Sequence, residues 1–132
     1  MSTIAAGDEQ VPTAAIADVS VRVDRPVRWA PPSLRPLLPG ALFSGSARSV
    51  THLGSVDSVL EVIAESGRGD VLVVDNGGRR EERRIADLWL AEAALAGIVL
   101  WGAHRDTAQL RHTGLPLLSL GSAFSGPRWY RP

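Results

Sequence analysis

Hydrophobic positions along this chain fall into short blocks whose period changes from one block to the next. Val56, Val59, Leu60 and Ile63 recur at i, i+3, i+4 and i+7. Ser55 caps this run and Gly67 stops it, so the spacing predicts a helix over 55–66. Asp70-Val71-Leu72-Val73-Val74-Asp75 follows as an apolar run bounded by two carboxylates, the pattern of a buried strand. Asn76-Gly77-Gly78 then predicts a turn. Residues 85–96 are alanine-rich and read as a second helix stopped at Gly97. Residues 98–103 read as the next strand, 106–113 as a short helix ending at Gly114, and 115–120 as a last strand. Alternation of helix and strand over 55–120 predicts an α/β fold with at least partly parallel pairing.

Upstream the pattern is less regular. Pro12 and Thr13 open a short helix through Ala14, Ala15, Ile16 and Val19, with Thr13 as its cap. Val21 and Val23 suggest a brief strand. Five prolines (Pro26, Pro31, Pro32, Pro36 and Pro39) make 25–39 an ordered loop, and 41–53 reads as a strand bulged near Gly45. Residues 1–12 are expected to be a mobile tail and 13–132 a single domain. Residues 121–132 carry no periodic signal, yet they hold Trp129 and Tyr130, which favour burial.

Composition narrows the chemistry. The 132 residues are 45% hydrophobic, enough for a real core in one domain. Fourteen basic and fourteen acidic residues balance to zero, which argues against sequence-independent binding to nucleic acid. Cysteine is absent, which removes disulfides, thiolate nucleophiles and cysteine-ligated zinc, and fits a cytoplasmic protein. Every basic residue is arginine, so neither Schiff-base chemistry nor a P-loop lysine is available. The N-terminus lacks the basic and apolar regions of a signal peptide. The longest apolar segment, 93–103, is too short to span a membrane.

Arg105-Asp106 is the strongest candidate for chemistry. Two charges sit side by side where an apolar strand ends, a costly position unless partners or a ligand meet them. A guanidinium fork suits a planar carboxylate, and a carboxylate suits a hard cation. Each residue also has a plain structural reading. Asp106-Thr107-Ala108-Gln109 matches a capping box, and Arg105 could pair with Asp75 or Asp87. Asp87, near a helix start, could simply favour the helix dipole, or mark N–H groups offered to an anion. Asn76-Gly77-Gly78 fits a tight turn better than a phosphate cradle, since no G-x-G-x-x-G follows. The charged run 79–84 reads as a solvated face. His52, His104 and His112 lack zinc-ligand spacing. Strand alternation turns His104 away from Arg105, which favours a structural role.

Together, Gly69-Asp70-Val71-Leu72-Val73-Val74-Asp75-Asn76-Gly77-Gly78, Asp87-Leu88, Trp101-Gly102-Ala103-His104-Arg105-Asp106 and Gly114-Leu115-Pro116 resemble the RraA-like family. That family includes the regulator of ribonuclease E activity A and the class II 4-hydroxy-4-methyl-2-oxoglutarate aldolases, which also decarboxylate oxaloacetate. The resemblance runs from about Thr13 to Gly121. It implies a swivelling β/β/α fold and a homotrimer with active sites at subunit boundaries. It implies Asp106 as ligand to Mg²⁺ or Mn²⁺, and Arg105 as the partner of a pyruvyl carboxylate. It places the substrate-binding backbone N–H groups on Ala86, Asp87, Leu88 and Trp89, with Asp87 supporting the metal through water. The expected function is a divalent-metal-dependent lyase that cleaves or decarboxylates 2-oxo acids to pyruvate. The alternative is a non-catalytic regulator that binds a ribonuclease. Three departures from the family pattern stand out. Ala86 replaces a glycine, the spacer from Asp87 to Arg105 is about three residues short, close to one helical turn, and the family's C-terminal strands would fall beyond Pro132.

Overall fold

The computed structural model describes residues 11–52, 57–78, 94–105 and 107–122. In chain order these form α1 (Thr13–Arg22), β1 (Arg35–Pro36), β2 (Ala47–Thr51), α2 (Asp57–Glu65), β3 (Val71–Asp75), β4 (Gly97–Trp101), α3 (Thr107–Thr113) and β5 (Leu117–Ser119). The strands make one sheet in the order β1-β5-β4-β3-β2. Pairs from β2 to β5 are parallel, and β1 closes the far edge antiparallel to β5. The predicted α/β architecture with parallel pairing is the observed one.

Register follows from burial. Leu72 lies opposite Ile98, Ile98 opposite Leu117, and Val74 opposite Leu100, and all five are buried. They form the core with Val59 of α2 and Leu110 of α3. A slip of one residue would turn this fully buried row to the other face, where Val73 and Val99 are only partly buried. The connections carrying α2 and α3 both join neighbouring parallel strands in the same direction across the sheet. Right-handed crossovers therefore put both helices over the same face.

Several boundaries differ from the sequence pattern. Helix α1 runs on through Val21, with Val23 as its C-cap, where the pattern predicts a brief strand. Among the described residues no strand pairs with this segment, and local hydrogen bonds continue until Asp24 takes a left-handed φ of 51°. Thr13 is the first helical residue rather than the cap. Pro12 holds the cap position, and its carbonyl accepts the N–H groups of Ala15 and Ile16. The proline-rich 25–39 segment is not all loop. Arg35 and Pro36 pair with β5, a position at the sheet edge where proline is tolerated, and the Leu37 N–H donates to Leu117 O at 2.8 Å. Strand β2 covers only Ala47–Thr51 of the predicted 41–53. The second predicted helix lies mostly outside the described residues. Its last three positions are not helical: Ala94 has a φ of 51°, and Ala96 N–H donates to Asp70 O. Gly97 is therefore the first residue of β4, not a helix stop. Ser55, the charged run 79–84, Trp129, Tyr130 and most of the predicted tail also lie outside the described residues.

Two glycines are required by packing. Gly45 passes directly over the Gly69 carbonyl, and a methyl group there would strike main chain. The Phe43 ring lies flat on Gly97, where an added Cβ would sit 2.5 Å from Cδ2. At the N-terminal end of the sheet Asp70 accepts from Arg48 Nε and from Gly67 N, both at 2.8 Å. The Arg48 bond, then the Gly67 bond, hold its carboxyl below the ordinary value of 3.8. None of the α1 residues is buried, and Ile16, Val19 and Val21 are exposed. Among the described residues no helix is long and apolar enough to cross a membrane.

Gly97→Ala is expected to lower stability by about 1–3 kcal/mol in urea unfolding, because the Phe43 ring must leave its seat. Adding Phe43→Ala should erase the extra cost of the glycine change, and equal costs in both backgrounds would show that the ring contact is not its origin. The Asp70 ion pair contributes stability that is complete above pH 3.8 and lost as the pH falls through the depressed folded value. Arg48→Met should therefore flatten the acid limb of the stability profile while changing its slope near neutrality little.

Candidate functional site

Because Thr51, Asp75 and Trp101 are in register, the C-terminal ends of β2, β3 and β4 form one edge. In open α/β sheets ligands bind at this edge. His52, Asn76 and Gly102 are the first residues beyond it, and all three are buried. The His52 N–H donates to Asp75 O at 2.8 Å, which extends the β2–β3 ladder by one step.

The glycine turn after β3 is a structural turn. Gly77 N–H donates to Asp75 Oδ1 at 2.8 Å, and the N–H groups of Asn76 and Gly78 both donate to Trp101 O, at 3.0 and 3.1 Å. The donors that a phosphate would need are already engaged. Gly78, with φ of 65°, rests against the Trp101 indole, where an added Cβ would lie 3.1 Å from Nε1. This turn walls one side of the segment that follows β4.

The other side is walled by the end of β5. Leu120 N–H donates to Gly102 O and His104 N–H to Gly121 O, both at 2.9 Å, and His104 bridges to Ser122 in parallel fashion. The β4–β5 ladder thus continues beyond both strands. It carries 102–105 as a braced loop, and Gly121 supplies the φ of 110° that the returning chain needs.

His104 is buried at 8% exposure, and both ring nitrogens have partners. Nδ1 lies 2.7 Å from Ser119 Oγ, and Nε2 lies 3.1 Å from Thr107 Oγ1. Ser119 Oγ also accepts the Gly121 N–H at 3.1 Å. Either neutral tautomer satisfies both hydroxyls, since each can donate or accept. Burial, assisted by the Arg111 cation, lowers the pKa of His104 below the usual 6.5, so the ring is neutral at neutral pH. The structural reading of His104 stands, and it carries a partnership with Ser119 and Thr107 that spacing alone did not reveal.

Arg105 follows on the same braced loop, partly buried, with Nη1 out of contact with solvent. The other predicted site residues, Asp106, Ala86, Asp87, Leu88 and Trp89, lie outside the described residues. Asp106 is flanked in the chain by Arg105 and by Thr107, the first residue of α3. Among the described residues no three His, Asp or Glu side chains are grouped to hold a metal. Mg²⁺ needs no such cage, since one or two carboxylates plus substrate oxygens and water complete its shell. Asp106 and Asp87, the carboxylates the sequence offers for such a shell, both lie outside the described residues.

Parallel pairing from β2 to β5, with Arg105 on the loop beyond β4, places the chain among α/β domains. The chain belongs to the RraA-like family, whose Aldolase/RraA model matches residues 13–129. It is 34% identical over 85 residues to a putative 4-hydroxy-4-methyl-2-oxoglutarate aldolase of Shewanella oneidensis, covering 61% of this chain and 51% of that protein. It is also 34% identical over 87 residues to the 4-hydroxy-4-methyl-2-oxoglutarate aldolase of Thermus thermophilus, covering 62% and 52%. The chain thus spans about half the length of the curated relatives it matches. Among solved structures it is similar to the RNA-processing inhibitor RraA from Thermus thermophilus, with a TM-score of 0.74 and 26% identity over 92% of this chain and 75% of that one. Streptomyces coelicolor RraAS2 shares the fold, with a TM-score of 0.73 at 24% identity over 91% and 63%.

Ser119→Ala removes the hydroxyl that meets both a buried imidazole nitrogen and the Gly121 N–H, and should cost about 1–3 kcal/mol in denaturant unfolding. A cost near zero would mean that the hydroxyl is not needed to satisfy these groups.

Proposed function

We propose that this chain belongs to an aldolase-type lyase that acts on 2-oxo acids and releases pyruvate, by aldol cleavage or by decarboxylation of oxaloacetate. The observation that carries the reading is Arg105 at the C-terminal sheet edge, on a loop braced by backbone hydrogen bonds to the chain that follows β5. The 4-hydroxy-4-methyl-2-oxoglutarate aldolase names of the relatives support the reaction class. Arg105 would pair with the substrate carboxylate and hold the 2-oxo acid in one orientation, a fork-to-carboxylate fit that fixes direction as well as distance. Asp106 would hold Mg²⁺ or Mn²⁺, with Asp87 supporting it through water. When bound, the cation supplies Lewis-acid polarisation of the keto oxygen. The backbone N–H groups of Ala86, Asp87, Leu88 and Trp89 would add fixed dipoles toward the substrate anion. In the aldol reaction the hydroxyl proton passes to a base, and a water held by Asp87 is the local choice. A homotrimer that completes the site between subunits, working in the cytoplasm, agrees with the family resemblance.

A second reading rests on the structural likeness to an RNA-processing inhibitor. In it the chain is a non-catalytic module that binds a ribonuclease. Pyruvate release from oxaloacetate with Mg²⁺ present separates the two. The lyase reading expects chelator to abolish release and Arg105→Ala to cut kcat/KM by roughly 100-fold, about 2.7 kcal/mol. Release that is indifferent to chelator, or retained by Arg105→Ala, overturns it. Absence of Mg²⁺ and oxalate binding, together with capture of a ribonuclease by the purified protein, establishes the module.

A further inference from the structure

The imidazole of His104 is anchored at both ends to elements that differ from its own. Nδ1 meets Ser119 Oγ at the end of β5, and Nε2 meets Thr107 Oγ1 in the first turn of α3. Its main chain is pinned as well, through His104 N–H to Gly121 O at 2.9 Å. A side chain with two rotatable bonds, held at both nitrogens, has no rotamer freedom left. The ring-to-Thr107 contact spans three residues and closes a small loop whose interior is the Arg105-Asp106 step. Arg105 therefore follows directly on a fixed residue, and Thr107, two positions further on, is tied to the same ring.

We propose that His104 is a positioning residue: its ring, bridging Ser119 and Thr107, clasps the main chain that carries Arg105 and helps set the direction in which the Arg105 guanidinium meets a substrate carboxylate. Supporting groups of this kind matter because a guanidinium aims two bonds at one carboxylate, and a small rotation of its stem breaks both. His104 touches no reacting atom in this scheme and acts only through Arg105 and its neighbour. The clasp also explains why a polar ring is spent in a buried position: its two hydrogen bonds offset the cost of burial and tie three segments together. The assignment rests on the lyase reading for its consequence, but the clasp itself is a property of the fold.

His104→Ala removes both contacts and opens a cavity, so the decisive variants are at Thr107, which is half-buried at the start of α3. Thr107→Val deletes the hydroxyl and keeps the shape, whereas Thr107→Ser keeps the hydroxyl. Oxalate, a stable mimic of the pyruvate enolate, is titrated calorimetrically into the full chain with Mn²⁺ present. Thr107→Val is expected to weaken oxalate binding by roughly 10-fold, with Thr107→Ser close to wild type. Hydrogen exchange of a peptide covering residues 102–107, followed by mass spectrometry, should quicken by about 10-fold in Thr107→Val and not in Thr107→Ser. Oxalate affinity unchanged in Thr107→Val, or lost equally in Thr107→Ser, overturns the proposal. If the wild-type chain itself binds no oxalate, the lyase reading fails on its own account. Exchange then decides the clasp: quickening confined to Thr107→Val sustains it, and unchanged exchange overturns it.

Discussion

The row of buried aliphatic side chains that runs from Leu72 through Ile98 to Leu117 sets everything else in this domain. It locks three parallel strands in a register that cannot slip without exposing the core, since one step turns every side chain over. Once the register is fixed, so is the height at which each strand ends. Asp75 and Trp101 then finish level with Thr51, and the loops beyond them are forced to share one edge.

That edge resolves its polar burden on two sides. Toward β3, the Trp101 carbonyl takes two N–H groups from the glycine turn, so a loop that could cradle an anion is closed on protein instead. Toward β5, the ladder is extended by Leu120 and His104, and the imidazole couples that extension to the first turn of α3. The segment that carries Arg105 is therefore braced by β-type hydrogen bonds on one flank and a side-chain bridge on the other. A rigid seat of this kind favours a residue whose task is directional. This agrees with the proposed carboxylate pairing better than with a purely surface role for the arginine.

The RraA-like family joins proteins named for aldol chemistry and proteins named for inhibiting RNA processing, and this chain is similar to both. One scaffold can serve both because function lies in the loops at the sheet edge and in the surfaces around them, not in the sheet. In the proposed lyase reading, Arg105-Asp106 is the feature that tilts this chain toward chemistry. The exposed apolar side chains of α1 are compatible with either use.

Strands β3 and β4 were legible in the sequence because each is a nearly unbroken apolar run, and α2 because its 3.6-residue period is strong. Arg105 was legible as a candidate because two charges at the end of such a run are conspicuous. Other features escaped for physical reasons. Val21 and Val23 carry β-branched side chains, but a strand needs a partner, and partnership is not a local property. Strand β1 was hidden among prolines because two edge residues suffice to pair with β5. Gly97 reads as a helix stop, whereas what demands glycine there is the Phe43 ring, more than fifty positions earlier in the chain. The role of His104 was equally invisible, since Ser119 becomes its neighbour only when β5 lies beside β4. The sequence by itself determined which segments must be buried and what chemical groups stand at their ends, because apolar period and residue type act locally. Tertiary structure alone decided which of those groups face one another, because hydrogen bonds between strand ends depend on register, and register is a property of the assembled sheet.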